Sequence, residues 1–272
     1  MTAALGDLLR ALWADYVQMT PQAERIHALL GARGERVVND HVALRAFGVP
    51  GLGIAALARP FEAVGYVARD RYRFDDKKLV ARYWQHPAAD APKVFISELC
   101  VGELSEGARG LIAGLVAQLP PGFGDRADLP WAGRPWRVDR ATYEALLAES
   151  EYAAWMAAFG FRVNHFTVAV DALTTFADLP AVNAFLVAHG FTLNTAGGAI
   201  KGSPADRLEQ SSTLADAIAV ELAGPEGTTT VELPSCYYEF AKRYPLPSGE
   251  LFQGFVPASA DKIFESTDAT GR

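Results

Sequence analysis

Two of the five histidines in this 272-residue chain lie where a metal ion could be bound. His41 follows Asn39 and Asp40 in the stretch NDHVAL, and His165 follows Asn164 in the stretch NHFTVAV. Both stretches have the composition of buried strands. Two imidazoles and one carboxylate form a facial triad, which leaves coordination positions open for substrate and oxygen. The pair therefore predicts a metal site with His41 and His165 as its nitrogen ligands.

The other three histidines are better explained by structural roles. His27 and His189 fall in predicted helices, and an imidazole near a helix end is favoured by the helix dipole. His86 precedes Pro87 in a predicted turn. We therefore assign no chemistry to these three side chains.

The third ligand of such a site must be a carboxylate, and three glutamates near predicted strands are candidates. They are Glu98 in VFISEL, Glu232 in TTVELP and Glu239 in YYEFAKR. Spacing alone does not choose between them. Each could equally be a glutamate at the rim of the fold or on its surface.

Arg45 follows His41 by four residues and falls on the same face of the same predicted strand. Four residues are two steps along one face, roughly 13–14 Å of backbone. A long side chain leaning back could therefore reach a ligand bound at the metal, and a guanidinium binds carboxylates through paired hydrogen bonds. The alternative is a buried salt bridge to a nearby acid.

Hydrophobic periodicity predicts an α+β fold with an internal repeat. The first unit reads as a strand (35–47), a helix (52–64) and three strands (66–74, 79–86 and 93–100). A strand at 161–170 and a helix at 180–190 then open a weaker copy, whose later strands lie in FTLNTA, around LEQSSTLADAIAVEL and in TTTVELPSCYYEFAKR. Helices are predicted at 3–18, 21–32, 103–117 and 140–158, and a tail at 244–272 contains a turn and a possible helix N-cap at Ser259.

Bulk properties exclude several classes of protein. The net charge is −7 with no basic cluster, so nucleic acid is not an expected partner. No apolar run approaches the roughly 18–20 residues that span a bilayer, and the first residues do not read as a signal peptide. The two cysteines, Cys100 and Cys236, fit small buried residues in a reducing compartment. We therefore expect a cytoplasmic protein without a membrane partner.

Four separated motifs resemble one known family. HVALRAF, LEQSST, YYEFAKRYP and FVPASADKIFES occur in the order found in the 2-oxoadipate dioxygenase/decarboxylase family, a branch of the vicinal oxygen chelate superfamily. The resemblance runs from about residue 35 to residue 267 and is to the short members of the family. It implies two tandem βαβββ modules that form a curved mixed sheet around a metal, with extra N-terminal and inserted helices.

This resemblance also implies how the chain is divided. All 272 residues would form a single domain, with module 1 at about 35–100 and module 2 at about 159–243. A helical insert would occupy about 101–158, and a C-terminal segment would follow at 244–272. Monomer and homodimer are both compatible with it.

The activity that the resemblance implies is that of a non-haem Fe(II) enzyme. O2 would be used to decarboxylate a 2-oxo acid and to hydroxylate the shortened product. In the best-known members this converts 2-oxoadipate to 2-hydroxyglutarate and CO2 in lysine breakdown. Other divalent metals such as Zn, Ni, Co or Mn could occupy the same ligands, since ligand type does not separate them.

Carried over by position, the resemblance assigns His41, His165 and Glu239 to the metal and Arg45 to a substrate carboxylate. The choice of Glu239 follows from the pattern formed by Tyr237, Glu239 and Arg243, with Glu232 as the alternative ligand. Further substrate contacts are expected from a set of small and polar side chains, namely Ala258, Ser259, Gln210, Ser211 and Tyr238. The chain departs from the long members, which have Phe-Gly-Glu where Tyr237, Tyr238 and Glu239 stand here.

Two other functions fit the same residues. A glyoxalase-like isomerase or hydrolase would use Zn(II) or Ni(II) as a Lewis acid and would need no O2. A non-catalytic binder would retain the pocket and sequester a small molecule. An intact set of three ligands argues against the binder.

Overall fold

The computed structural model describes residues 2–224 and 227–267, and its centre is an eight-stranded mixed sheet that curls into a half-barrel. Short 3-10 turns aside, the elements in chain order are α1 (Ala3–Met19), α2 (Pro21–Ala32), β1 (Asn39–Phe47), α3 (Ile54–Ala63), β2 (Val67–Phe74), β3 (Leu79–Gln85), β4 (Lys93–Leu99), α4 (Glu106–Val116), α5 (Arg140–Glu149), α6 (Glu151–Phe159), β5 (Val163–Ala169), α7 (Leu179–Ala188), β6 (Lys201–Ser203), β7 (Leu208–Ser212), β8 (Ala217–Gly224), β9 (Gly227–Pro234), β10 (Tyr237–Arg243) and α8 (Pro257–Phe264).

The repeat predicted from the sequence is present in the sheet. In the first module β1 leads through α3 into the antiparallel run β2-β3-β4, and β4 returns to pair in parallel with β1. In the second module β5 leads through α7 into β6, β7 and β10, and β10 pairs in parallel with β5. The strand order is β2-β3-β4-β1-β5-β10-β7-β6, so antiparallel β1 and β5 join the modules at the centre.

Side chains of the central strands alternate between the two faces of this sheet. On the convex face, Phe166 of β5 and Tyr238 of β10 pack against Trp13 and Tyr16 of α1. The apolar stripe of α1 is thus buried against the sheet, as its helical periodicity predicts. The concave face carries the predicted metal ligands.

The concave side of the half-barrel is covered by the C-terminal segment. Helix α8 contacts β2 at one edge of the sheet and β6 and β7 at the other, so it lies across the opening. None of the helices described is both long and apolar enough to cross a membrane.

Four local predictions differ from the structure. The stretch 140–158 is two helices, because extended Ser150 ends α5 and its side chain caps α6 at the amide of Ala153. FTLNTA forms only a bridge from Leu193 to Thr213, and β6 occupies the strand position instead. The β8–β9 hairpin forms a sheet of its own. Ser259 lies within α8 rather than at its N-cap, because the helix begins at Pro257.

Candidate metal centre

Three buried side chains meet on the concave face. Nε2 of His41 is 3.6 Å from Oε1 of Glu239, and Nε2 of His165 is 3.3 Å from Oε2. The two imidazole rings are nearly perpendicular, at 84°. Among the residues described, this is the one group of histidine, cysteine or acidic side chains close enough to hold a metal, with ligand atoms within 4.8 Å of one another.

Strand register brings these residues together. His41 is opposite Thr167 in the β1–β5 pair, and Thr167 is level with Glu239 in the β5–β10 pair. His165 lies one step away on the same face, opposite Ala43. The three ligands therefore come from three adjacent central strands, where backbone hydrogen bonds on both sides hold each strand.

Each histidine directly follows a bulge in the β1–β5 pair. The register shifts once between Asn39 and His41, which makes Asp40 an extra residue of β1. It shifts again where Ala43 is opposite His165 and Leu44 is opposite Val163, which makes Asn164 an extra residue of β5. A bulge redirects the side chain of its extra residue. This explains why an acid or amide that precedes a histidine can contact the ring, although neighbours in a regular strand point to opposite faces.

Both bulge residues orient their histidine in the same way. Nδ1 of His41 donates to Oδ1 of Asp40 at 2.8 Å, and Nδ1 of His165 donates to Oδ1 of Asn164 at 2.9 Å. The proton on Nδ1 leaves Nε2 as the lone-pair nitrogen, directed at Glu239. Support of the second ring nitrogen by a carboxylate or carbonyl is typical of metal-binding histidines.

A buried ion pair supports only the first histidine. Arg243 donates from Nε to Oδ2 of Asp40 at 2.6 Å and from Nη2 to Oδ1 at 2.9 Å. Burial opposes ionisation of Asp40, but the Arg243 guanidinium and the hydrogen bond with His41 hold the pKa of the carboxyl well below its usual value. Arg243 also donates to the carbonyls of Phe252 and Gly254, and these hydrogen bonds connect the C-terminal segment to β10.

Glu239 is fully buried and incompletely satisfied. Its Oε1 accepts from Nε2 of Gln210 at 2.6 Å, whereas Oε2 has no hydrogen-bond partner among the residues described. Burial raises the pKa of Glu239. Burial also lowers the pKa of His165 well below its usual value, and the charges of His41 and Arg45 lower it further. A carboxylate in this environment lacks a positive charge, which a cation would supply.

These observations fit a divalent metal. Neutral imidazole and carboxylate are the donors that Fe(II), Zn(II), Mn(II) and Co(II) accept. Ligand atoms roughly 2.1 Å from one ion stand about 3–3.5 Å apart, close to the separations of Glu239 from the two histidines. Thr167 Oγ1, 3.0 Å from Nε2 of His41, bonds at present to the nitrogen that a metal would take.

The other two candidate glutamates lie elsewhere. Glu232 is exposed on β9, in the separate hairpin. Glu98 accepts from the amide of Ile54 at 2.7 Å, at the beginning of α3. Of the three glutamates left open by sequence spacing, only Glu239 is grouped with the histidines.

Arg45 is 1% exposed and lies on the same concave side as the ligands. Its charge contributes to the lowered pKa of His165. Its Nη1 is 3.2 Å from Oε1 of Glu151, and its Nη2 donates to Oγ1 of Thr267 at 2.8 Å. The salt bridge considered from the sequence is therefore present. It does not exclude the carboxylate-binding role, which remains a prediction.

The predicted substrate contacts divide between the two sides of the sheet. Gln210 bonds to Glu239, and buried Ser259 lies in α8 above β6, while Ala258 is exposed. Ser211 and Tyr238 are on the convex side, where the Ser211 hydroxyl donates to Oδ1 of Asn183 in α7. Strand alternation from Glu239 and Gln210 directs both side chains away from the ligands, so the predicted contacts of Ser211 and Tyr238 are wrong.

Several residues of the centre were missed by the sequence interpretation. They are Asp40 and Asn164 beside the histidines, Glu151 and Thr267 beside Arg45, and Phe255 against the His41 ring at 4.9 Å. Tyr237, named from the sequence only as part of the glutamate motif, stacks on His165, and alternation from Glu239 places it on the same face. The acid or amide before each histidine was a signal for Asp40 and Asn164. Glu151 and Thr267 lie far away in sequence and left none.

The chain is similar to known proteins over most of its length. The family model described as 2-oxoadipate dioxygenase/decarboxylase matches residues 2–118 and 131–253. The chain is 36% identical to the rice chloroplastic/amyloplastic 2-oxoadipate dioxygenase/decarboxylase, over 93% of this chain and 75% of that protein.

Two solved structures are also similar over nearly the whole chain. A putative hydrolase from Shewanella frigidimarina is 48% identical, with a TM-score of 0.89 over 95% of this chain and all of that one. The rice hydroxyglutarate synthase in complex with 2-oxoadipate is 32% identical, with a TM-score of 0.91 over 99% of this chain and 95% of that one. The chain belongs to the 2-oxoadipate dioxygenase/decarboxylase family.

Proposed function

We propose that this protein is a non-haem Fe(II) dioxygenase that decarboxylates a 2-oxo diacid, converting 2-oxoadipate or a close analogue to 2-hydroxyglutarate and CO2. The observation that carries the proposal is the buried group of His41, His165 and Glu239 on the same concave side as buried Arg45. Membership of the family supports it, as does the 2-oxoadipate bound in the rice relative.

The metal would be held by His41, His165 and Glu239. The chemistry that bound Fe(II) would supply is electron exchange with O2 and Lewis-acid binding of the 2-oxo acid. One substrate molecule and one O2 account for all the atoms of the hydroxy acid and CO2, so no second reductant is needed. Asp40 and Asn164 hold the two imidazoles with Nε2 towards Glu239, where both nitrogens would be available to the metal.

Arg45 would bind the carboxylate of the substrate that is distant from the metal. A guanidinium forms two parallel hydrogen bonds to a carboxylate and so fixes both its position and its orientation. Glu151 and Thr267 hold Arg45 in the absence of substrate, and the Tyr152 and Trp155 rings pack on its guanidinium at 4.9 and 5.0 Å. An incoming carboxylate would take over contacts now made by Glu151 or Thr267.

The C-terminal segment would exclude water during the reaction. Phe255 lies against His41, Thr267 bonds to Arg45, and Ser266 is 2.8 Å from the Ser212 hydroxyl. All three ligand side chains are nearly inaccessible to solvent under this cover. Ser259, also buried there, is a second candidate for substrate contact through its hydroxyl. Exclusion of water protects reactive species and strengthens the electrostatic contacts.

Anaerobic purification with metal analysis, followed by O2 uptake with 2-oxo diacids of five to seven carbons, tests the proposal. We expect Fe(II)-dependent O2 uptake with equimolar release of CO2. Turnover of these acids without Fe(II) and O2 would favour the glyoxalase-like alternative. Metal binding without turnover of any of them would favour a binder. Either result would overturn the dioxygenase proposal.

A further inference from the structure

Two adjacent tyrosines of β10 offer a comparison of otherwise similar side chains. Tyr237 and Tyr238 are both fully buried, and neither hydroxyl has a hydrogen-bond partner among the residues described. A buried hydroxyl without a partner costs free energy unless it is used by a ligand or water. Because neighbours in a strand point to opposite faces, the two hydroxyls lie in different environments.

Tyr238 lies in an apolar environment. Its ring is 5.4 Å from that of Phe240, 6.0 Å from Trp13 and 6.4 Å from Tyr16, on the convex side under α1. These three neighbours are all aromatic rings. Its hydroxyl is therefore part of the packing between helix and sheet.

Tyr237 lies among the charged groups of the metal centre. Its ring stacks on His165, with centroids 4.6 Å apart and planes 24° from parallel. Alternation along β10 places it on the same face as Glu239, two residues away. A phenol hydroxyl can donate a hydrogen bond.

The position of Tyr237 along the strands is intermediate between the two ends of the site. Glu239 is level with Thr167, which is opposite His41. Tyr237 is level with His165, and this level is one step closer to Arg45. Ile263 of α8 and Ala215 pack on Tyr237 in a small apolar cluster that holds the side chain. A molecule that extends from the metal ligands to Arg45 would pass this residue.

We propose that the Tyr237 hydroxyl donates a hydrogen bond to a carboxylate or keto oxygen of the bound 2-oxo acid. This inference rests on the proposed function and adds a substrate-contacting residue to it. The acceptor is either an oxygen of the 2-oxo acid group or one of the carboxylate beside Arg45. Both are carboxylate or keto oxygens, and neither requires a change in the metal ligands.

The test uses Tyr237→Phe with Tyr238→Phe as the matched control. Each substitution removes one buried hydroxyl without a partner and retains the ring, so neither should lower the melting temperature or the metal content. We expect Tyr237→Phe to weaken anaerobic binding of 2-oxoadipate to the metal-loaded protein by about 10- to 100-fold, the usual effect of losing a hydrogen bond to a charged group. Tyr238→Phe should bind as the unmodified protein does.

Repeating the binding measurement with 2-oxohexanoate identifies the acceptor. A loss seen with both ligands assigns the bond to the 2-oxo acid group, and a loss seen only with 2-oxoadipate assigns it to the distal carboxylate. Equal affinity of Tyr237→Phe and the unmodified protein for both ligands would overturn the inference, as would an equal loss in Tyr238→Phe.

The binding measurement also separates this inference from the proposed function. If the unmodified protein turns over 2-oxoadipate and Tyr237→Phe does so with the same kcat/KM and affinity, the tyrosine inference alone is wrong. If the unmodified protein binds 2-oxoadipate without turnover, the dioxygenase proposal is wrong and the comparison of the two variants still decides the tyrosine contact. If it binds neither acid, both are wrong.

Discussion

The two βαβββ modules have the same topology but cover their concave faces with different side chains. In the first module, Tyr72, Tyr83 and Phe95 pack around Phe255, at ring distances of 6.2, 5.4 and 4.8 Å. In the second module, buried polar groups such as Gln210 and Glu239 occupy the corresponding region. Repetition of the module supplied two histidines, while the side chains around them differ between the two modules.

The residues that hydrogen-bond to the two histidines also differ between the modules. Asp40 is an ionised carboxylate held by Arg243, which reaches across from β10 of the other module. Asn164 is neutral, and its Nδ2 has no hydrogen-bond partner among the described residues. A carboxylate increases the basicity of a ligating imidazole more than an amide does. His41 should therefore be the more strongly bound of the two nitrogen ligands.

The largest expected effect tests whether β10 or β9 supplies the carboxylate ligand. Glu239→Ala should lower metal affinity by at least about 100-fold, because loss of a ligand exceeds the roughly 10- to 100-fold cost of losing an outer partner. Glu232→Ala removes the glutamate that the family motif left as the alternative ligand, which is exposed, and should leave metal content unchanged. Metal analysis after dialysis against a weak chelator measures both. Loss of metal in Glu232→Ala alone would show that the wrong strand has been assigned.

The next effect tests the unequal histidine supports. Asp40→Asn should lower metal affinity by about 10- to 100-fold, since it removes the charge that supports His41 and leaves Arg243 buried without its counter-ion. Asn164→Ala should lower affinity by less than about 10-fold, because only a neutral acceptor is lost. Competition with a chromogenic chelator gives both affinities, and circular dichroism controls for folding. Equal losses in the two variants would contradict the inequality.

The smallest effect concerns the junction between the modules rather than the metal. Glu35, just before β1, accepts hydrogen bonds from the amides of Thr174 and Thr175, which follow β5. Burial opposes its ionisation, but these hydrogen bonds lower the pKa of Glu35 from 4.5 to about 2. Glu35→Gln should therefore lower the free energy of unfolding by about 1–2 kcal/mol at neutral pH while metal content is unchanged.

The pH dependence of this contact follows from the direction of the shift. A carboxyl whose pKa is lower in the folded state stabilises the fold above its unfolded pKa and loses that contribution as the pH falls through the folded value. The stability difference between Glu35→Gln and the unmodified protein should thus be full above pH 4.5 and decline towards pH 2. Urea titrations across this range measure it, and a constant difference would contradict the assignment.

Much of the fold and of the centre could be predicted from local patterns. The order of strands and helices in both modules follows from periodicity, which depends on each element alone. His41 and His165 were recognisable because each lies in an apolar strand after an acid or amide. The choice of Glu239 over Glu232 required the family motif, since both glutamates lie in β-rich stretches with similar local composition.

Other features of the centre depend on contacts between distant residues. The two bulges that turn Asp40 and Asn164 towards their histidines are properties of the pairing between β1 and β5, which no single strand encodes. The partners of Arg45 come from α6 and the C-terminal segment, more than one hundred residues away in sequence.

The sequence by itself thus determined the type of site: two histidines, a carboxylate and an arginine on strands of a repeated module. The tertiary structure decided which carboxylate joins the histidines, which nitrogen each ring presents, and that Glu151 and Thr267 contact Arg45. The physical reason is that residue type and periodicity are local, whereas strand register, bulges and burial are set by partners distant along the chain.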